Sequence, residues 1–329
     1  MPIAIDQAAV LAGSITPGDT PGFPARLSRP GSYILTGNLT VPATVANAIQ
    51  ITSSHLTLDL NGFHITRASP DFTPAIIAAS AVNFVKVVNG HISAMSGVEL
   101  PGIGNRVEGL QIRGPDPSAG SGIVLGDMGV ATDNQVNTID LAFSVGKSGV
   151  IRNNVALTIG HGARAGENSI VAGNILGGGA AQSSVQVGDG AIVEGNITGG
   201  NDGGIQAGRY CLVKDNTLRN AGDFGIGAGD GSVITGNRVN HVPHGPGISA
   251  TSTCAISNNA VTDCGEGIVG VNGTLVESNA VSGSTGFGLR MQASSGYALN
   301  VLNGNNGTNP QVSGGFQVDK NECNGAFCP

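Results

Sequence analysis

Six ionisable residues recur at one phase of a repeating chain: Asp202, Asp223, His241, His244, Asp263 and Glu266. Each falls after a recurring asparagine segment and before the next apolar segment, so they belong to successive turns of the chain. Strands stacked at about 4.8 Å would hold carboxylates on adjacent turns about 5 Å apart, and those two turns apart about 10 Å. Those separations bracket the ones used by paired carboxylates to cleave glycosidic bonds. Asp202 or Asp223 is the expected base or nucleophile, and His244 or Glu266 the expected acid. Outward positions of the strand that follows carry Arg164, Gln186, Gln206, Ser249 and Arg290. Of these, Arg164, Gln186, Gln206 and Arg290 are the expected grips on sugar hydroxyls or a uronate. The alternative is a row of ordinary solvated turn residues.

A second polar column runs Asp127, Lys147, Glu167, Asp189, Arg209, Asp230, Ser252 and Asn272, with charge signs minus, plus, minus, minus, plus, minus. It reads as an exposed salt-bridge ladder, in which each cation lies between carboxylates one turn away. Such pairs contribute about 0–1 kcal/mol each. Glu167 and Asp189 meet with no base between them and are the weak candidates for a metal site, with Ca2+ as the cofactor. His55, His64 and His91 have no partner at metal-ligand spacing and read as surface or filler.

What must position these groups is a repeat. Segments such as "VIRNNVA" (150–156), "IVEGNIT" (192–198), "LVKDNTL" (212–218) and "VITGNRV" (233–239) place Asn134, Asn154, Asn174, Asn196, Asn216, Asn237, Asn259, Asn279 and Asn300 at spacings of 20 to 22 residues. Eleven residues before each Asn stand Ile123, Phe143, Ala163, Val185, Ile205, Ile226, Ile248, Ile268 and Leu289. Nine before stand small or aliphatic residues from Leu125 to Met291. Three before stand Ala131, Ile151, Val171, Val193, Val213, Ile234, Ile256, Val276 and Tyr297. Apolar residues two apart face the same side of a strand. The first two columns therefore line one inner wall, and the third lines the strand facing it. One turn cannot bury that wall, whereas stacked turns share a single aliphatic interior, each Val or Ile contributing about 1.5–3 kcal/mol. The Asn column predicts an internal ladder of side-chain amides. The Gly126, Gly146, Gly166, Gly188, Gly208 and Gly229 column predicts a left-handed corner.

The expected architecture is all-β: one right-handed parallel β-helix domain, 1–329, of about twelve coils. Residues 1–45 would form an N-terminal cap and lead-in, with 3–12 a short helix over the open end of the core. Coils would fill 46–302, including the looser "LTLDLNGFHI" (56–65), "VKVVNGHI" (85–92) and "RVEGLQI" (106–112), and 303–329 would cap the other end. The handedness follows the general rule for parallel crossovers. A leucine-rich repeat would need a leucine scaffold with helical spacers, which is missing here.

Composition agrees. Gly accounts for 54 of the 329 residues and charged residues for 11%, with 40% apolar and no Gly-X-Y period, which excludes collagen and disorder. A net charge of −7 with 15 Lys plus Arg argues against a nucleic-acid partner. No apolar run reaches membrane-spanning length. Cys323 and Cys328 flank a short glycine-containing loop and are expected to pair, while Cys211, Cys254 and Cys264 leave at least one thiol.

These coils, with "PGSYILTGNLTV" (30–41) before them and "NVLNGNNG" (300–307) after, resemble the secreted bacterial right-handed β-helix repeat proteins of the pectate-lyase-like superfamily over nearly the whole chain. The resemblance implies an extracellular protein whose leader precedes this sequence, with a polysaccharide or cell-surface glycan as partner. Polygalacturonases of that superfamily carry Asn-Thr-Asp, Asp-Asp, Gly-His-Gly and Arg-x-Lys on successive coils. Here "NTID" (137–140) and Gly160-His161-Gly162 are present, while the Asp-Asp and Arg-x-Lys are missing. Three readings follow. The chain is a polysaccharide lyase or glycoside hydrolase; a glycan-binding module, disfavoured by zero Trp, three Tyr and nine Phe; or a non-catalytic structural or adhesive scaffold.

Overall fold

The structure, a computed structural model, describes residues 1–68, 71–78, 82–178 and 183–328. It divides into two compact units, Met1–Gly166 and Glu167–Pro329. Each is a parallel β-helix of three short strands per coil.

In the first unit the wall column is Ile123, Phe143 and Ala163 in direct register, and the facing column runs Val107, Ala131, Ile151. In the second, Val185, Ile205, Ile226, Ile248, Ile268 and Leu289 pair strand to strand, faced by Val171, Val193, Val213, Ile234, Ile256, Val276 and Tyr297. Every residue of the Val185–Leu289 column is wholly buried. The two-residue and eleven-residue offsets in the sequence thus translate directly into inward faces.

The asparagine ladder also forms. The backbone and side-chain N–H groups of Asn196 both donate to Asn216 Oδ1, at 3.0 and 2.9 Å, and Asn216 donates likewise to Asn237 at 3.0 Å. The same double bond links Asn134 to Asn154 in the first unit. It also continues one rung past the expected column, from Asn300 to Asn321.

In the regular coils three corners recur, and at each a single residue takes a left-handed conformation. Met128, Asp133 and Thr138 mark them in the first unit, and Tyr210, Asp215 and Asn220 in the second, with φ between 55° and 56°. The first corner to the second, and the second to the third, are five residues in each of these coils. Variation in the length of such coils is therefore confined to the stretch from the third corner to the next wall strand, whereas the early coil at His55 also lengthens the interval to its second corner, Asn61.

The glycine column is not left-handed, contrary to the expectation from sequence. It marks close backbone approach instead. A Cβ on Gly208 would lie 2.4 Å from Asp189 Oδ1 and 2.7 Å from Asp189 N, and one on Gly146 would lie 2.3 Å from Asp127 Oδ1. In the polar column Asp127, Asp189 and Asp230 also accept from the backbone N–H of Lys147, Arg209 and Ser252 on the next coil, at 2.8, 2.8 and 3.0 Å. A short carboxylate beside a corner is well placed to reach the neighbouring amide. The Thr251 hydroxyl and Ser252 amide, helped by Arg209, hold the Asp230 carboxyl below its ordinary range.

The ends also differ. Strands begin before residue 46: Ile3–Ile5 pairs with Gly31–Leu35, and that strand with Leu56–Asp59. The helix is only Gln7–Ala12, capped by Asp6 at one end and left-handed Gly13 at the other, with Val10 buried beneath it. After residue 303, Val312–Ser313, Phe316–Gln317 and Glu322–Cys323 add another parallel rung, closed by an antiparallel turn onto Ala326–Phe327 and the Cys323–Cys328 disulfide. These terminal rungs bring the count to about fourteen coils rather than twelve.

Cys211, Cys254 and Cys264 are all buried free thiols. Burial pushes all three thiol pKa values up, that of Cys264 to about 11. A thiol that stays protonated and covered cannot attack a disulfide. Ellman's reagent at mildly alkaline pH is therefore expected to titrate none of the three in the folded protein and all three in denaturant.

Candidate active face

In the second unit the third corner and the turn after it present the ionisable groups. Asp202 and Asp223 are exposed and stacked on adjacent coils, with the Asp223 amide donating to the Asp202 carbonyl. A Cβ on Gly222 would stand 3.4 Å from Asp202 Oδ1, so the carboxylate lies over the next coil where a side chain would crowd it. His244 is exposed in the longer turn Pro243–Pro246, where the register shifts between Val242 and Pro246, and its N–H donates to the Gly222 carbonyl. These three expected residues are gathered on one edge.

Glu266 and Arg290 also meet, with consequences for both. Arg290 Nη2 and Nε bond Glu266 Oε2 at 2.6 and 2.9 Å. The guanidinium occupies the carboxylate that was expected to face a glycosidic oxygen, which opposes the role of acid expected of Glu266. Arg290 in turn enters the face already neutralised.

The wall strand's outward column reads Gln186, Gln206, Gly227, Ser249, Val269 and Arg290 in register. Gly227 opens a gap in it. A Cβ there would lie 3.0 Å from Gln206 Oε1, so the Gln206 amide lies across the glycine. The gap is a recess of about 240 Å³ lined by Gln206, Phe224, Gly227, Ala228, Pro246, Ser249 and Thr251. Phe224 and Pro246 form an apolar wall and the amide and hydroxyls a polar floor, the combination that suits a sugar ring. Gln186 extends the column one coil beyond the recess. Phe224 was not singled out in the sequence, although it directly follows Asp223 and is one of few aromatics.

One further pair forms at the corner itself. His241 Nδ1 lies 2.6 Å from Asp263 Oδ2, both residues being exposed and left-handed, with φ 63° and 57°.

The first unit holds Arg164, paired in register with Ser144. Its neighbours are residues that the sequence reading noted only as motif fragments. Asp140 of "NTID" and His161 of Gly160-His161-Gly162 lie one coil apart, His161 Nδ1 being 3.1 Å from Asp140 Oδ1. Gly160 makes room for this, since a Cβ there would be 2.1 Å from that oxygen. His161 Nε2 and Arg164 Nε are buried without a hydrogen-bond partner among the described residues. The offset of one coil between Asp140 and His161 was the signal that could have linked them.

No three His, Cys, Asp or Glu side chains converge as a metal site among the described residues. Asp189 is engaged by the Arg209 amide, so the residues present do not make a Ca2+ cage of Glu167 and Asp189. His64 and His91 stack in register, with ring centroids 4.3 Å apart, as surface rings do on neighbouring strands.

No family model matches this chain, and no curated protein does. Among solved structures it is similar to alginate lyase AlyF-OU02 in complex with G6, at 13% identity and TM-score 0.50, over 92% of this chain and 84% of that one. It is also similar to the periplasmic alginate epimerase AlgG, at 12% identity and TM-score 0.49 over 90% and 77%, and to the Azotobacter vinelandii mannuronan C-5 epimerase AlgE6 A-module, at 14% and 0.44 over 95% and 94%. At such identities the likeness concerns fold alone. The chain has the right-handed parallel β-helix fold.

Proposed function

We propose that the second unit binds one sugar of an acidic polysaccharide in the recess beneath Phe224 and Pro246, and cleaves the chain by elimination. The recess carries this reading: it offers an apolar wall for a ring and a floor of Gln206, Ser249 and Thr251 for a carboxylate, beside exposed His244, Asp202 and Asp223. A uronate's C5 proton is acidified by its carboxylate. His244 removes that proton, the electron pair forms the C4–C5 double bond, and the C4–O4 bond breaks with the proton delivered to the leaving oxygen. An imidazole suits this role because one ring nitrogen can take the C5 proton and return it to the leaving oxygen. Asp202 and Asp223 accept hydrogen bonds from sugar hydroxyls. That similar folds include an alginate lyase and alginate epimerases agrees with a uronate substrate. The disulfide agrees with work outside the cytoplasm, and no helix among the described residues is long and apolar enough to cross a membrane.

The test is incubation with alginate, polygalacturonate and a neutral glucan. Ultraviolet absorbance of an unsaturated uronate is expected from an acidic polymer and none from the glucan. His244→Ala should lower the rate about 10²-fold or more, and Phe224→Ala should raise KM while leaving the melting temperature in place. New reducing ends without absorbance would mean hydrolysis and would refute elimination. The Glu266–Arg290 pair favours a second reading, binding without turnover, which would show as retention on the polymer with no product.

A further inference from the structure

Beside this edge, on the strand that precedes the third corner, lies a separate groove of about 430 Å³ lined by Arg219, Arg238, Asn240, Ala260 and Thr262. Its geometry follows from register. Thr217 pairs with Arg238 and Arg219 with Asn240, and these in turn pair with Ala260 and Thr262. Outward residues of neighbouring coils therefore form two columns. Arg219 and Arg238 stand on a diagonal across them, about 8 Å apart at the backbone from a strand spacing near 4.8 Å and a rise near 3.3 Å per residue.

Both arginines are exposed, and neither has an ion-pair partner among the described residues. That is notable in a chain of net charge −7, where carboxylates outnumber cations. Small residues keep the groove open. Ala260 forms part of its lining, and Gly199 takes the place beside Arg219 on the preceding coil. Asn240 Nδ2 donates to Thr262 Oγ1 at 2.7 Å, which orients both groups across adjacent coils. The carboxylate next in sequence, Asp263, is engaged by His241 at 2.6 Å, so it is partly withdrawn from the arginines. Exposed Ile197 and Ile175 continue the Arg238 column beyond Thr217 and extend the face with an aliphatic strip.

We propose that Arg219, Arg238, Asn240 and Thr262 form a second glycan site, which takes an anionic sugar through its carboxylate or sulfate ester. Two planar guanidiniums match such groups by paired hydrogen bonds. The Asn240–Thr262 pair meets ring hydroxyls, and the isoleucine strip meets the ring faces of adjoining sugars. The site lies on a different strand face from the recess and stands independently of the elimination proposed there.

Isothermal titration with a galacturonate hexamer, a sulfated oligosaccharide of equal length and neutral cellohexaose tests it. The wild-type protein is expected to bind at least one anionic oligomer and not the neutral one, and the tighter anion names the recognised group. Arg219→Ala combined with Arg238→Ala should weaken that binding about tenfold or more, with the melting temperature unchanged. Phe224→Ala should leave this component intact, so failure of the recess and failure of the groove read out separately. Binding undiminished in the double variant would overturn the proposal. So would single-stranded DNA binding as well as the best sugar, since a plain charge patch does not distinguish polyanions.

Discussion

Ile226→Asp is expected to leave no cooperatively folded protein. Ile226 is wholly buried between Ile205 and Ile248 in the wall column, where a carboxylate finds neither water nor a cation. An unpaired buried charge costs several kcal/mol, against a total stability of about 5–15 kcal/mol for a typical domain. Circular dichroism should show the β-signal and its thermal transition lost, or expression should yield insoluble chain. Asp223→Ala, three residues away on the exposed turn, should melt within the scatter of the parent, as surface substitutions do. An Ile226→Asp protein that melts like the parent would refute the inward assignment of the whole column.

Asn216→Ala should cost about 3–5 kcal/mol, more than a cavity of that size alone. The amide accepts from Asn196 N and Nδ2, and donates to Val193 O, Lys214 O and Asn237 Oδ1. Truncation strands buried donors and acceptors on two neighbouring coils, at about 1–3 kcal/mol for each one left unmet. Because neighbouring coils depend on each other, the loss should spread locally. Amide hydrogen exchange is the apt measure: protection should fall across Val193–Asn237 and persist in distant coils. Unchanged protection at Asn196 and Asn237 would mean that water replaces the amide and that the ladder contributes little.

The wall columns were legible because burial constrains residue type at every coil, and the 20–22-residue spacing repeats that constraint many times over. The asparagine ladder was legible for the same reason. The glycine column was not, because a sequence reports the lack of a side chain without the reason for it. At Gly208 the reason is the backbone of Asp189, and the true left-handed places hold residues such as Met128 and Tyr210 that no propensity would select. The terminal rungs lack the repeating pattern and so could not be counted. At the candidate face, the gathering of Asp202, Asp223 and His244 was readable from phase alone. The Glu266–Arg290 bond was not, because side chains three residues out of phase can still meet, here at 2.6 Å. The Asp140–His161 pair shows the same limit, since it needs a strand register as well as a motif.

The five-residue intervals between corners in the regular coils give this chain a division of labour that resembles an antibody framework and its loops. Two edges of each regular rung are locked in length, so inserted or exchanged residues there have one outlet, the segment between the third corner and the wall. There Pro243–Pro246 is already an expanded version of its neighbours. Transplanting that segment from one rung to another should leave the scaffold's register undisturbed, and ligand preference could then be recombined rung by rung.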